Sequence, residues 1–169
     1  MTFQIGEKVV YPNHGVGTIE NISARSFGTQ NEKFYLLKLA CNSLTVMVPF
    51  SHVEQVGLRK VTRNGEISKV LNYLATGEII ASHDWKDRFK ENSVKMQNGS
   101  LLEVAEVLKC LVQIQSHKPL SFREKKMLDR ARVMILSELA TSRGLAEPLA
   151  VDMLDKALRK ASLKFPEPL

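Results

Sequence analysis

The chain has 169 residues, 44% hydrophobic and 25% charged, with a net charge of +6 and a pI near 9.4. This is the composition of an ordinary soluble globular protein of one domain or two small ones, and the basic balance points to an acidic partner, nucleic acid being the commonest. Its apolar runs fall far short of the roughly 18 residues that span a bilayer, and "MTFQIGEKVVYPNHG" lacks the basic and apolar regions of a signal peptide, so neither a membrane partner nor an export signal is expected.

Residues 1–58 read as β. "KVVY" (8–11), "VGTIENIS" (16–23), "KFYLLKLA" (33–40) and "LTVMVPF" (44–50) are rich in Val, Ile, Leu, Tyr and Phe. Turn clusters "PNHG", "SFGTQNE" and "CNS" separate them, and "VEQVGL" (53–58) supplies a fifth short segment. Four or five closely spaced strands predict a small antiparallel barrel of the SH3 or Tudor kind. In "LTVMVP", Leu44, Val46 and Val48 alternate with Thr45 and Met47 across the two faces. "HGVGTIE" (14–20) lacks the third glycine and the Lys-Ser/Thr of a phosphate loop and runs into a strand, so Gly15 and Gly17 are expected to shape a turn.

"RKVTRNG" (59–65) is polar and reads as a junction, giving two units, 1–60 and 61–169. The period then becomes helical. Ile67, Val70, Leu71 and Leu74 fall on one face before Gly77. "DWKDRFKENSVKMQNG" predicts a helix capped by Asp84 and stopped at Gly99. "SLLE" (100–103) and "SFRE" (121–124) have the Ser-x-x-Glu form of a capping box, each opening an apolar run. Pro148 suits the first turn of a last helix carrying Val151, Leu154, Leu158 and Ala161. The expected class is α+β: a Tudor-like barrel followed by about five helices.

The residues do not form a recognisable catalytic constellation. His14, His52, His83 and His117 share no ligand spacing with one another or with Cys41 and Cys110, so no metal, cofactor or small-molecule substrate is expected. The two separated thiols suit a reducing, cytoplasmic location. No GxSxG, SxxK or HExxH is present, and a non-enzymatic protein is expected.

Electrostatics carries more information. On the helix opened by "SFRE", Arg123, Lys126 and Arg130 form one basic stripe and Lys125 and Arg132 another, with Leu128, Ala131, Ile135 and Leu139 between them. Either stripe can be a solvated border of a buried seam. If one tracks a nucleic-acid backbone, three to five neutralised phosphates imply a slope of log affinity against log salt of roughly −3 to −4.5. Trp85 stands among charges in "SHDWKDRFK" and shares its face with Phe89 one turn on. It is either a partly buried ring packed on Phe89 or an exposed wedge flanked by Lys86, Arg88 and Lys90, which would hold phosphates.

"GEKVVYPNHGVG" (6–17), "LTVMVP" (44–49), "WKDRFKEN" (85–92), "VAEVLK" (104–109) and "LSFREKKMLDRARVMILSELA" (120–140) together resemble the CarD/CdnL family of bacterial transcription regulators over most of the chain. The resemblance implies a Tudor-like N-terminal domain that binds the RNA polymerase β subunit. It also implies a helical C-terminal domain on promoter DNA at the upstream edge of the transcription bubble, stabilising the open complex without reading base sequence. By position, Trp85 matches the family's minor-groove wedge, and Arg88, Lys90 and Lys125 match basic positions along the backbone. Lys125 makes its stripe the expected DNA face, with Arg132 added by geometry. Arg25 matches a polymerase contact, and Met47, Val48 and Pro49 lie in the matching strand. Met47 stands where some members carry an arginine, so contact there is apolar; Asp87 replaces a basic residue of some members. A nucleoid-associated cytoplasmic protein follows from the resemblance. The rival is an RNA-binding or ribosome-associated module that stacks bases on Phe34 or Tyr35.

Overall fold

The computed structural model describes residues 2–40, 42–79 and 84–169. Cys41 and His83 lie outside them. Five strands, β1 (Lys8–Tyr11), β2 (Gly15–Phe27), β3 (Gln30–Leu39), β4 (Thr45–Pro49) and β5 (Arg59–Lys60), form one antiparallel sheet in the order β4-β3-β2-β1-β5. The "SFGTQNE" turn is shorter than its composition implies. Phe27 and Gln30 are already cross-strand partners, so β2 and β3 make a long hairpin closed by two residues, with Gly28 at φ 64°. "VEQVGL" is not a strand. Val53–Val56 form a single helical turn, α1, ended by Gly57 at φ 77°, and the fifth strand follows it as Arg59–Lys60 beside β1. The glutamate and glutamine of that segment are exposed while Val53 points inward, which a turn of helix satisfies as well as a strand does.

Five longer helices follow: α2 (Asn64–Thr76), α3 (Trp85–Asn98), α4 (Leu101–Gln115), α5 (Phe122–Arg143) and α6 (Glu147–Lys160). Their ends follow local chemistry. Asp84 accepts from the Lys86 N–H, Ser100 from the Glu103 N–H and Ser121 from the Glu124 N–H, each satisfying a donor that a helix start leaves open. Pro148 sits in the first turn of α6. On α6 the buried set is Ala150, Leu154, Ala157 and Leu158; Val151 and Ala161 flank it, half-buried.

Two apolar clusters result among the described residues. In the sheet, Phe3, Val9, Ile19, Tyr35, Leu37 and Val48 pack together. Among the helices, α4 is central and buries Val107, Lys109 and Cys110 as well as the apolar run Leu101, Val104, Ala105, Leu108, Leu111 and Val112, since α2, α3 and α5 all pack on it. Burial pushes the Cys110 thiol up from its usual pKa and lowers that of Lys109. The Lys109 ammonium donates to the carbonyls of Tyr73 (2.9 Å) and Gly77 (2.7 Å), closing the C-terminal end of α2.

The polar segment 59–65 is not a free linker. The Arg59 guanidinium donates to both carboxylate oxygens of buried Glu138 on α5 (2.7 and 2.8 Å) and to the Gly99 carbonyl, and the Thr62 N–H donates to the same carboxylate at 2.8 Å. Gly99, at φ 76°, ends α3 against Pro12 of the β1–β2 turn; a Cβ there would come within 2.7 Å of the proline. These contacts, with β2 lying on α5, join the sheet to the helices.

Candidate nucleic-acid interface

Trp85 is the first residue of α3. Asp84 caps the helix before it, and the next buried positions on the helix, Arg88 and Asn92, begin one turn later. The indole therefore overhangs the end of the packed seam and stays 46% exposed, with the Lys86 ammonium 5.9 Å from its centroid. It is not sealed within the bundle.

Arg88 has the opposite fate, and its expected role at the surface is corrected. It is 4% exposed and forms a two-point pair with Glu124, Nε to Oε2 at 2.9 Å and Nη2 to Oε1 at 3.1 Å. Donating to the Glu124 carboxylate raises its pKa despite desolvation. All of this charge is spent inside the protein, so none is presented to a phosphate. The pair ties the start of α3 to the start of α5, and the Glu124 carboxylate serves this tie while also accepting from the capping Ser121 hydroxyl at 3.4 Å.

The stripes of α5 also separate. Lys125 is exposed, beside the segment Lys164–Leu169 that follows α6. Arg132 is not: its side chain is 11% exposed, its Nη2 lies 2.8 Å from Asp129, and the Leu169 N–H reaches the same carboxylate. An open DNA-facing Arg132 is thus corrected. Arg123, Lys126 and Arg130 on the other flank are exposed. The Arg123 guanidinium lies 4.4 Å from the Phe89 ring, and a groove of about 380 Å³ runs between α3 and α5, lined by Phe89, Met96, Arg123, Lys126 and Arg130. Phe89 is one turn from Trp85, so this stripe, not the one containing Arg132, continues from the indole. Lys86 and Lys90 are exposed on the outer side of α3, as is Asp87.

In the sheet, strand register sorts the other candidates. Ser23, Phe34 and Pro49 are aligned across three strands, as are Asn21, Leu36 and Met47, and Arg25 faces Glu32. Side chains alternate along each strand, so Arg25, Met47 and Pro49 share the outer face. Val48 is opposite Tyr35, points inward and is 2% exposed, so a side-chain contact from it to a partner is corrected to a core role. β4 is an outer strand, and Met47 and Phe50 are both 37% exposed beside it. Phe34 and Tyr35 are 8% and 1% exposed, and the Tyr35 hydroxyl accepts from the Phe3 N–H. Neither ring is available to stack on a base.

Comparison with known proteins agrees with this two-part layout. Residues 3–62 match the model of the CarD-like/TRCF RID domain, and residues 69–155 match that of the CarD C-terminal domain. This chain belongs to the CarD family of transcription factors. "Putative transcription factor YdeB" of Bacillus subtilis (strain 168) is 35% identical over 145 residues, covering 86% of this chain and 95% of its own. A solved structure, CdnLNt from Myxoccoccus xanthus, is 36% identical and covers 36% of this chain and 86% of its own, at a TM-score of 0.31. Members of the family are transcription factors and not enzymes, and the N-terminal sheet is of the Tudor-like kind. Among the described residues, no helix is long and apolar enough to cross a membrane.

Proposed function

We propose that this CarD-family protein docks on the RNA polymerase β subunit through the outer face of its sheet and stabilises the open promoter complex with Trp85. The exposed indole at the head of α3 carries the reading. An apolar ring placed in a minor groove at an opening step replaces lost stacking and hinders reannealing, and unstacking itself costs about a few kcal/mol. Lys86, Lys90 and Lys125, with Arg123, Lys126 and Arg130, supply a basic surround that meets phosphates without reading bases. Arg25, Met47 and Pro49 face the polymerase, with the edge of β4 open to strand addition. Tethering gives a weak DNA contact a local concentration of about millimolar.

Promoter lifetime with purified cognate polymerase tests this. Adding the protein is expected to lengthen open-complex life, and Trp85→Ala to remove most of that gain while polymerase binding persists. An unchanged lifetime with the alanine variant refutes the wedge.

A further inference from the structure

We propose that Phe122 is a second aromatic contact to DNA, a platform on which an unpaired base stacks at the edge of the opened duplex. The inference rests on Trp85 facing DNA and adds to it a ring on a different helix.

Phe122 is the first residue of α5 and is 63% exposed, more than Trp85 at 46%. The start of α5 does not require it: Ser121 supplies the cap, and burial begins at Glu124 and Leu128. A single exposed phenylalanine is ordinary on a protein surface. The surroundings of this one are not. The Lys126 ammonium lies 4.7 Å from the ring centroid, covering one face with a cation, while the ring stays largely open to solvent. A base that stacks on the open face brings its phosphate towards Lys126. Attraction to the ring and to the phosphate then act together.

The placement ties this ring to the tryptophan. The buried Arg88–Glu124 pair holds the heads of α3 and α5 together, so both exposed aromatics stand at the same end of the helical unit. Arg123, next in the chain to Phe122, lies on Phe89, one turn from Trp85. This end of the surface thus offers a guanidinium on a phenyl face, with Lys86 beside the Trp85 ring and Lys126 over the Phe122 ring. Alternating aromatic and cationic groups bind single-stranded nucleic acid, since every base has a π face and every nucleotide a charge. Trp85 then takes the duplex edge and Phe122 a base freed from it.

Binding of the full chain to two DNAs of one sequence tests the assignment. One is a blunt duplex; the other is a fork whose thymidine arm carries 2-aminopurine at the first unpaired position. The natural protein is expected to prefer the fork and to quench the 2-aminopurine. Phe122→Ala should bind the blunt duplex as before, lose roughly five- to tenfold on the fork, and lose the quenching. Phe122→Tyr should keep both and Phe122→Leu neither, which separates stacking from simple apolar contact. Phe122→Ala should also melt with the natural protein, and a large drop in melting temperature would make the ring structural and overturn the proposal. So would an alanine variant that keeps fork preference and quenching while Trp85→Ala weakens binding to both DNAs. If Trp85→Ala changes neither DNA, the DNA-facing reading of this end falls, and this inference with it. An RNA fork bound more tightly than the DNA fork would reassign the platform to RNA.

Discussion

Along one flank of α5, Arg123, Lys126 and Arg130 stand open and continue onto the Phe89 ring. Along the other, Arg132 is pinned by Asp129 next to the chain's last residues, although Lys125 on the same flank remains exposed. Both flanks carry lysine and arginine at helical spacing, three on one and two on the other. What separates them is what lies beside α5: α3 leaves a groove against one flank, and the segment after α6 covers part of the other. A cation becomes available to a ligand only when no carboxylate of its own chain has claimed it, whether that carboxylate is one helical turn away, as Asp129 is for Arg132, or 36 residues away, as Glu124 is for Arg88. Arg88 is the extreme case, three positions from the exposed indole yet wholly committed to Glu124.

The largest effect is expected where that commitment is broken. Glu124→Ala leaves the Arg88 charge buried without its partner, and urea unfolding should show a loss of about 3–5 kcal/mol. The double variant Arg88→Met, Glu124→Leu should regain most of it, because a packed apolar pair of similar volume avoids the desolvation cost. If Glu124→Ala unfolds with the natural protein, the tie between α3 and α5 is not what holds their heads together.

In the sheet the same contrast separates Val48 from its neighbours. Val48→Ala removes two buried carbons and opens a cavity, so a stability loss of about 2 kcal/mol is expected. Met47→Ala, on the exposed face, should change stability by less than about 0.5 kcal/mol. Equal effects would mean that the strand's two faces have been assigned wrongly.

Returning to α5, Lys126→Gln with Arg130→Gln should make the slope of log DNA affinity against log salt shallower by about 2, one phosphate for each cation lost. Arg132→Gln should leave that slope unchanged. The reverse result would return the DNA face to the Lys125 flank. The mildest outcome is expected for Arg25→Glu, a several-fold drop in capture of the polymerase β subunit with no shift in thermal unfolding, since the side chain is exposed. Undiminished capture removes Arg25 from the contact.

The helices were legible because their ends are local events. Asp84 and Gly99 bracket α3, and Ser100 and Ser121 cap α4 and α5, each through bonds formed within a few residues. The exposed Trp85 was legible in part, from a charged setting at a helix start. Three departures have separate causes. "VEQVGL" was read as a strand because six residues carry too little periodicity to separate a turn of helix from β. Val48 was grouped with Met47 because both belong to one motif, although adjacent residues of a strand face opposite ways. Arg88 and Arg132 were read as free. The partner of Arg88 is 36 residues away and unmarked by spacing, whereas Asp129 stands three residues before Arg132, a helical spacing that does mark a pair.

By itself, then, the amino-acid order determined the α+β class, the helix limits, the family and a tryptophan without an apolar setting, all of which depend on short-range periodicity, capping and motif. Tertiary structure decided which charges are spent. Glu138 gathers Arg59 and Thr62 from the segment that reads as a linker, and Glu124 withdraws Arg88 from the surface. The reason is electrostatic. A buried carboxylate requires a partner wherever the fold can bring one, and no local rule reveals which arginine that will be.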